Sequence, residues 1–275
     1  MTNKLNFEKF PKHIIEPVIL AESKKYLIKI AENQEEIDKT LRLRYEVFYV
    51  EQGHGLDSSK EDGIDLDKYD EYCLHLIVLN KETNLLVGTY RAHLGSVATK
   101  SIGFYSADEY EMKGLDKIAA ISMEVGRSCV TKEFRRGAAV SLLWGGLATL
   151  MRRAQLRYLF GCVSFDEYNP AATWAVYEHL KRENLISELI DGHPQKNYIL
   201  ERPAECEIQK YLDDIPNTFK NHVPPLLKGY LRLGTKIAGL PLYDPEFKTI
   251  DFLIILDSFN LPERYAKHYN LQNGV

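Results

Sequence analysis

The segment SMEVGRSCVTKEFRRGAAVSLLWGGL, residues 122–147, joins an alternating stretch to a basic turn and then to an apolar run. The alternation over 122–130 predicts a strand, and the apolar run from Gly137 predicts a helix. A glycine-containing turn that opens a helix presents free backbone N–H groups in front of the positive end of the helix dipole. The turn therefore predicts an anion site, to which Arg135 and Arg136 add charge-assisted hydrogen bonds. A solvated basic turn that only starts the helix is the alternative.

Segments on both sides of this unit extend the pattern. The unit's own helix is expected over 137–155, and the elements predicted outside it are strands at 24–31, 72–80, 85–94, 158–165 and 250–257 and helices at 33–53, 169–184, 226–233 and 261–269. Antiparallel hairpins combined with two strand–helix–strand crossovers predict an α/β (α+β) fold. Its central sheet is mixed and mostly antiparallel, with helices on both faces.

Composition excludes several classes of protein. The 275 residues are 45% hydrophobic and 27% charged, which is ordinary for a globular protein. The net charge of −4 argues against a nucleic-acid partner. The cysteines form no CxxC pair and have no histidines at ligand spacing, so we expect reduced thiols and no metal site at Cys73, Cys129, Cys162 and Cys206. Without a signal peptide or a run of ~20 apolar residues, a cytoplasmic protein is expected, and peripheral contact with the inner membrane stays open.

The basic turn resembles the phosphate-gripping turn of the Gcn5-related N-acetyltransferase (GNAT) superfamily. Gly137 and Ala139 match that turn, whereas Phe134 stands where the superfamily usually has Gln or Arg. Downstream, Asn169 and Ala172 match the Asn-x-x-Ala of its next helix.

Two groups of enzymes within the superfamily match further. The acyl-homoserine-lactone synthases are similar in a set of charged and aromatic positions: Arg44, Phe48, Asp65, Asp67, Asp70, Arg91, Glu124 and Arg127. The bacterial L-ornithine Nα-acyltransferases of the ornithine-lipid pathway, whose relatives are often labelled haemolysins, resemble the chain more closely. Their motifs run from about residue 26 to about residue 269 and include LRLRYEVF, GFYSADEY, EVGRSCV, SLLWGGL and KGYLRLGTKIAGLPLYDPEF.

The resemblance implies a GNAT-like fold and acyl transfer to the α-amine of an amino acid. The expected donor is the 4′-phosphopantetheine thioester of an acyl carrier protein, with no permanently bound cofactor and no metal. The expected acceptor is ornithine, and the product with a long 3-hydroxyacyl chain is a lyso-ornithine lipid. We expect an N-terminal arm over 1–22, an acyltransferase core over 23–202 and a C-terminal extension over 203–275 that packs on the core.

The resemblance also assigns roles to individual residues. Because an α-ammonium group is mostly protonated near neutral pH, a base must take its proton, and Glu124 is the first candidate. Arg91 and Arg127 either hold the amino acid's carboxylate or lock Asp67, Asp70 and Glu124 into an ionic network, and we expect the network. Since no cysteine or serine lies near a usable histidine in these motifs, direct attack by the amine is favoured over an acyl-enzyme.

The remaining expected contacts concern the substrates. Residues expected to bind acceptor or acyl chain are Arg44, Phe48, Asp65, Trp144 and Phe165, and residues expected to meet the phosphopantetheine are Ser128, Val130, Arg135, Arg136, Gly137, Ala139 and Asn169. Backbone amides at 128–130 are the expected oxyanion donors. Trp144 and Phe165 could instead be plain core.

Other functions stay open at this point. Within the acyl-carrier class they are acylation of another amino acid such as glycine and synthesis of an acyl-homoserine lactone. Outside it they are acetyl-CoA-dependent acetylation of a small molecule and a haemolysin-like, membrane-active protein without enzymatic activity.

Overall fold

The computed structural model describes residues 7–56, 58–135, 138–165 and 167–271. Its strands are β1 (Ile19–Glu22), β2 (Tyr26–Ile30), β3 (Leu74–Asn80), β4 (Leu86–Leu94), β5 (Tyr110–Lys113), β6 (Ser122–Val130), β7 (Tyr158–Phe165), β8 (Asp191–Pro194), β9 (Lys236–Ile237), β10 (Leu242–Asp244) and β11 (Thr249–Asp257). Its α-helices are α1 (Lys12–Ile15), α2 (Gln34–Tyr45), α3 (Ser59–Asp62), α4 (Gly95–Ala98), α5 (Ser106–Glu109), α6 (Leu115–Ile118), α7 (Ala138–Arg153), α8 (Pro170–Arg182), α9 (Glu205–Leu212), α10 (Ile215–His222), α11 (Pro225–Arg232) and α12 (Glu263–His268).

Nine strands form one twisted layer in the order β1-β2-β3-β4-β6-β7-β11-β10, with β9 also paired to β11. A separate two-stranded sheet joins β5 to β8. Among the strands described, β6 and β7 are parallel and the other named pairs are antiparallel. The mixed, mostly antiparallel sheet predicted from the sequence is therefore confirmed.

The expectation of two parallel crossovers needs correction. Only the β6–α7–β7 unit joins parallel neighbours within the described chain. Helix α2 connects β2 to β3, and those strands are antiparallel. After α8 the chain passes through α9, α10 and α11 before β11 returns antiparallel to β7. A connection of that length lets the strand enter from the opposite end, which a single helix crossover does not.

Helices cover both faces of the sheet because side chains alternate along its strands. On β3, Leu76 and Val78 belong to the large core that α7 contributes to, whereas Ile77 packs with Ile37 of α2. Asn33 caps α2, and its side chain accepts a hydrogen bond from the Glu36 N–H at 3.0 Å. The predicted helix over 33–53 ends as an α-helix at residue 45 and continues as a π-helix over Glu46–Glu51.

Several short elements had no sequence signal. They include β1, the β5–β8 pair, β9, β10, α9 and α10. All of these strands have four residues or fewer, too few for an alternation to be recognised. They are recognisable only by what they pair with, and β1, for example, extends the sheet beside β2.

Candidate active site

Strands β6 and β7 run side by side for three residue pairs and then separate. Their ladder joins Ser122–Glu124 to Tyr158–Phe160. Beyond it, β6 stays with β4 as far as Val130, and β7 stays with β11. Gly161 lies at the fork, where an added Cβ would lie 2.1 Å from the Val125 carbonyl oxygen, so only glycine permits this approach. A cavity of about 410 Å³ extends from the fork.

A β-bulge changes the direction of side chains on the wall of this cavity. Arg91 of β4 lies opposite Gly126, and Thr89 lies opposite Cys129, so two residues of β6 face one of β4. One of the two, Arg127, has a left-handed backbone with φ of 49°. Such a conformation is uncommon outside glycine, and bulges of this kind commonly re-aim a side chain near a functional site.

Three arginines and three aspartates form one buried ion-pair network. Arg44, fully buried, donates to Asp65 through Nε at 2.6 Å and to Asp70 through Nη1 at 2.6 Å. Arg91 Nη1 donates to Asp67 at 2.6 Å and to Asp70 at 3.1 Å. Burial alone would raise the pKa of the Asp70 carboxyl, but the charges of Arg44 and Arg91 outweigh burial and hold that pKa well below its ordinary range. The Asp70 carboxylate is therefore charged near neutral pH.

Arg127 completes the network. Its Nη2 donates to Asp67 at 2.9 Å, and its Nε lies 3.3 Å from an Asp65 oxygen. Its guanidinium lies between the rings of Tyr105 and Phe247, at 4.8 and 4.6 Å from their centroids. The bulge thus brings Arg127 to the segment that carries Asp65, Asp67 and Asp70, called here the acidic loop, and three cationic charges balance three anionic ones.

Glu124, at the fork, anchors the loop on the opposite wall. Its carboxylate accepts hydrogen bonds from the Tyr105 N–H at 2.8 Å, the Ser106 N–H at 2.7 Å and the Ser106 hydroxyl at 2.6 Å. Burial raises the pKa of the Glu124 carboxyl in spite of these donors. A carboxylate with a raised pKa on a cavity wall can accept a proton near neutral pH. Its neighbour across the ladder is His93.

The predicted phosphate turn is described in part. Arg135 lines the cavity, donates through Nη2 to Glu51 at 2.6 Å, and donates through Nε to the Val130 carbonyl at 2.9 Å. Arg136 and Gly137 lie outside the described residues.

The other residues expected at the phosphopantetheine have different surroundings. Ser128 lines the cavity. Ala139 is buried in the first turn of α7. Asn169 caps α8, where its side chain accepts from the Ala172 N–H at 3.0 Å.

The aromatic residues expected to bind the acyl chain divide into two sets. Phe48 of the π-helix lines the cavity. Trp144 and Phe165 are absent from the described lining and lie in the core, where Trp144 contacts Tyr230 and Phe165 contacts Phe252 with ring centroids 4.4 and 4.8 Å apart. An apolar side chain on an element between two layers packs with its neighbours, and its sequence position alone does not distinguish core from cavity.

Sequence reasoning missed three buried carboxyl groups beside the cavity, on Glu109, Asp244 and Asp251. Burial, followed by the charge of Asp244, raises the pKa of the Asp251 carboxyl to about 7. Burial also raises the pKa values of the Asp244 and Glu109 carboxyls. The signal in the sequence was Asp251, which lies beside the apolar run of the strand TIDFLIILD. A carboxylate buried there is costly unless it is paired or hydrogen-bonded.

The thiols at the cavity are poorly suited to attack a thioester. Cys162 lines the cavity and donates to Glu109 at 3.1 Å. Burial and the nearby Glu109 raise the pKa of the Cys162 thiol well above its ordinary value. The protonated thiol is a weak nucleophile. Within the described chain, no cysteine hydrogen-bonds to a histidine, as an activated pair would.

Comparison with known proteins agrees with this geometry. Residues 43–145 match the acetyltransferase (GNAT) domain family. The L-ornithine N(alpha)-acyltransferase of Brucella abortus (strain 2308) is 32% identical over 260 residues, which cover 89% of this chain and 89% of that protein. The enzyme of the same name from Agrobacterium fabrum is 33% identical over 255 residues, covering 88% and 84%. The chain belongs to the L-ornithine N(alpha)-acyltransferase family. It is therefore an acyltransferase with a GNAT fold, as the sequence motifs predicted.

Solved structures are similar at low sequence identity. FeeM, an N-acyl amino acid synthase from uncultured soil microbes, is 14% identical with a TM-score of 0.46, over 85% of this chain and 91% of that one. BjaI, a CoA-dependent acyl-homoserine lactone synthase, is 12% identical with a TM-score of 0.44, over 85% and 80%. Within the described residues of the present chain, no helix has the length and hydropathy that crossing a bilayer requires.

Proposed function

We propose that the protein transfers an acyl chain from an acyl carrier protein to the α-amine of ornithine. The supporting observation is the membership in a family whose curated relatives are named for that acceptor across almost the whole chain. The cavity at the strand fork supplies the place for the reaction, because it exposes a carboxylate, backbone amides and a basic side chain to one volume.

Glu124 is proposed to take the proton from the α-ammonium group. The neutral amine then attacks the thioester carbonyl directly, a C–N bond forms, and an oxyanion develops on the carbonyl oxygen. Beyond Glu124 the β7 side of β6 has no ladder partner among the described strands, so N–H groups between Gly126 and Ser128 are available as oxyanion donors. Collapse breaks the C–S bond, and the second amine proton leaves with the pantetheine thiol. The product is an N-acylornithine, which with a long 3-hydroxyacyl chain is a lyso-ornithine lipid.

The donor is proposed to be the 4′-phosphopantetheine thioester of the carrier protein. Arg135 stands on the cavity rim at the start of the turn before α7, where its guanidinium can meet the prosthetic phosphate. The ion-pair network of Arg44, Arg91 and Arg127 is proposed to hold the acidic loop rigid instead of binding the acceptor carboxylate, since each guanidinium already has carboxylate partners.

The test is a donor and acceptor matrix. Purified protein is incubated with 3-hydroxyhexadecanoyl carrier protein, 3-hydroxyhexadecanoyl-CoA or acetyl-CoA, and with ornithine, glycine or no acceptor. Products are analysed by mass spectrometry. We expect N-acylornithine from the carrier thioester at a higher rate than from the CoA thioester. Acylation of glycine in preference to ornithine would contradict the acceptor, and turnover of acetyl-CoA alone would contradict the donor.

A further inference from the structure

Three buried carboxyl groups, Glu109, Asp244 and Asp251, are called here the acidic cluster. Their residues are 1%, 3% and 5% exposed. Asp244 and Asp251 line the cavity, whereas Glu109 is absent from the described lining and accepts a hydrogen bond from Cys162, which lines it. Asp251 accepts from the hydroxyls of Thr249 at 2.8 Å and Ser164 at 3.0 Å. These donors are neutral, and no described Lys or Arg forms an ion pair with any member of the cluster. Buried carboxylates without a cationic partner are rare and costly, so this cluster calls for an explanation.

The arginine side chains near the cavity already form ion pairs with carboxylates outside the acidic cluster. Arg44, Arg91 and Arg127 each pair with aspartates of the ion-pair network. Arg135 pairs with Glu51. The carboxyl groups of this wall therefore have no ion-pair partner among the described residues, and burial favours their protonated forms until a cation enters the cavity. The chemical complement of such a wall is an organic cation.

A second feature of the cavity points to a ligand. His93 lines it, is 2% exposed, and has no hydrogen-bond partner at either ring nitrogen. Burial lowers the pKa of His93 to about 4, so the ring is neutral and offers one donor and one acceptor. A buried polar side chain without a partner is destabilising unless something else satisfies it. The ring is adjacent to Glu124 across the β4–β6 ladder.

The acidic cluster lies within a short distance of the proposed base. Ser106 Oγ donates to Glu124 at 2.6 Å and lies 3.7 Å from Cys162 Sγ. Cys162 in turn donates to Glu109 at 3.1 Å. Two small side chains therefore bridge Glu124 and the cluster. An amino acid with its α-amine at Glu124 can reach the cluster through a short polymethylene side chain.

We infer that Glu109, Asp244 and Asp251 bind the side-chain ammonium of the acceptor, so that the enzyme selects amino acids with a second positive charge. The inference rests on the proposed function, because it takes the acceptor to occupy this cavity. An ammonium group has three donors, and the carboxyl groups of Asp244 and Asp251 on the cavity wall can accept from it.

The inference also explains which nitrogen is acylated. A side-chain amine held by carboxylates stays protonated and has no lone pair to attack with. The α-amine near Glu124 can lose its proton. The acidic cluster therefore protects one amine of a diamino acid while the other reacts.

The test compares ornithine with norvaline, which has the same carbon chain and no side-chain amine. We expect wild-type kcat/KM to favour ornithine by at least about 30-fold, the effect of losing one buried charge pair. Asp251→Asn removes the ionisable group but keeps one oxygen that can accept from one of the two hydroxyls, while its NH₂ group can donate to the oxygen of the other hydroxyl. It should raise the KM for ornithine at least about tenfold and leave norvaline within about threefold. Asp244→Asn is the second variant, since its Oδ1 can still accept the Glu246 and Phe247 N–H groups.

Asp257→Asn is the matched control, because Asp257 lies on the same strand but pairs with Arg157 away from the cavity. It should leave the ornithine preference unchanged. Equal use of norvaline and ornithine by the wild type, or equal losses with both substrates in Asp251→Asn and Asp244→Asn, would overturn the inference while leaving the acyl transfer intact.

Calorimetric titration of ornithine separates the two proposals. Binding to the wild type that is lost in Asp251→Asn would support the acidic cluster even if no N-acyl product formed, in which case the proposed function alone would fail. Absence of ornithine binding, or binding that Asp251→Asn leaves unchanged, would overturn the inference.

Discussion

Replacement of Glu124 by glutamine tests whether this carboxylate moves a proton or only anchors a loop. In the native site one oxygen accepts from the Ser106 N–H and hydroxyl, and the other accepts from the Tyr105 N–H. A glutamine keeps one acceptor but brings an NH₂ group towards a backbone donor. Leaving one buried donor unsatisfied costs about 1–3 kcal/mol. That is a fraction of the about 5–15 kcal/mol that stabilises a typical domain, so the variant should fold.

The expected effect on rate is larger than the structural cost. Loss of a general base lowers kcat by about 100-fold to 10⁴-fold. Because burial raises the pKa of the Glu124 carboxyl, the wild-type kcat/KM should rise with pH through that raised pKa as the base becomes ionised. Glu124→Gln should lose this acid limb. The assay is initial-rate formation of N-acylornithine over a range of pH, with folding monitored by urea denaturation.

Ser106→Ala is the control because it removes one donor to Glu124 and leaves the carboxylate in place. It should lower the free energy of unfolding by about 1 kcal/mol and reduce kcat less than tenfold. Equal losses of activity in the two variants, or an acid limb that persists in Glu124→Gln, would contradict the role of Glu124 as the general base. Either outcome would assign Glu124 to holding the loop alone.

Three further predictions concern charges in and around the site. Asp70→Asn should lower the free energy of unfolding, measured in urea, by about 3–5 kcal/mol, because it leaves the buried Arg44 and Arg91 partly unpaired. The loss should exceed that of Asp67→Asn, since the Asp70 side chain is 1% exposed and the Asp67 side chain 13%, and equal losses would contradict this expectation. In the folded protein the pKa of the Asp251 carboxyl is about 7, above its ordinary value of 3.8. Its contribution to the free energy of unfolding is therefore fully present below about pH 4 and is lost as the pH rises to about 7. Asp251→Asn should flatten that fall by about 1–3 kcal/mol in denaturation at pH 5 and 8, and an unchanged slope would contradict it. Glu51→Gln should free Arg135 for the carrier phosphate and lower the KM for acyl carrier protein by about two- to fivefold, the value of a partly exposed ion pair; a higher KM would mean that Glu51 positions the arginine.

The unit around the opening segment could be predicted because its signals are local. Alternation in β6, the apolar run of α7 and the cap at Asn33 each depend on neighbours in sequence. The ionic network was predicted in part. Arg91 and Arg127 pair with Asp67, and Arg91 with Asp70, as expected, but Glu124 accepts from Tyr105 and Ser106 instead of joining the network. The part played by Arg44, on α2, and by Asp65 was not predicted.

The acidic cluster could not be predicted in the same way. Glu109 and Asp251 lie more than a hundred residues apart and are brought together by the return of β11 beside β7. No local pattern records that pairing. The bulge at Arg127 was equally hidden, because a single left-handed residue in a strand leaves the alternation almost unchanged.

A single labelled reaction tests whether the enzyme acylates the α-amine of ornithine. Wild-type protein is incubated with 3-hydroxyhexadecanoyl carrier protein and ornithine labelled with ¹⁵N at the side-chain nitrogen, and the product is fragmented by tandem mass spectrometry. We expect a single N-acylornithine in which the labelled nitrogen carries no acyl group. Acylation of the labelled nitrogen, or no N-acyl product from any thioester, would contradict it.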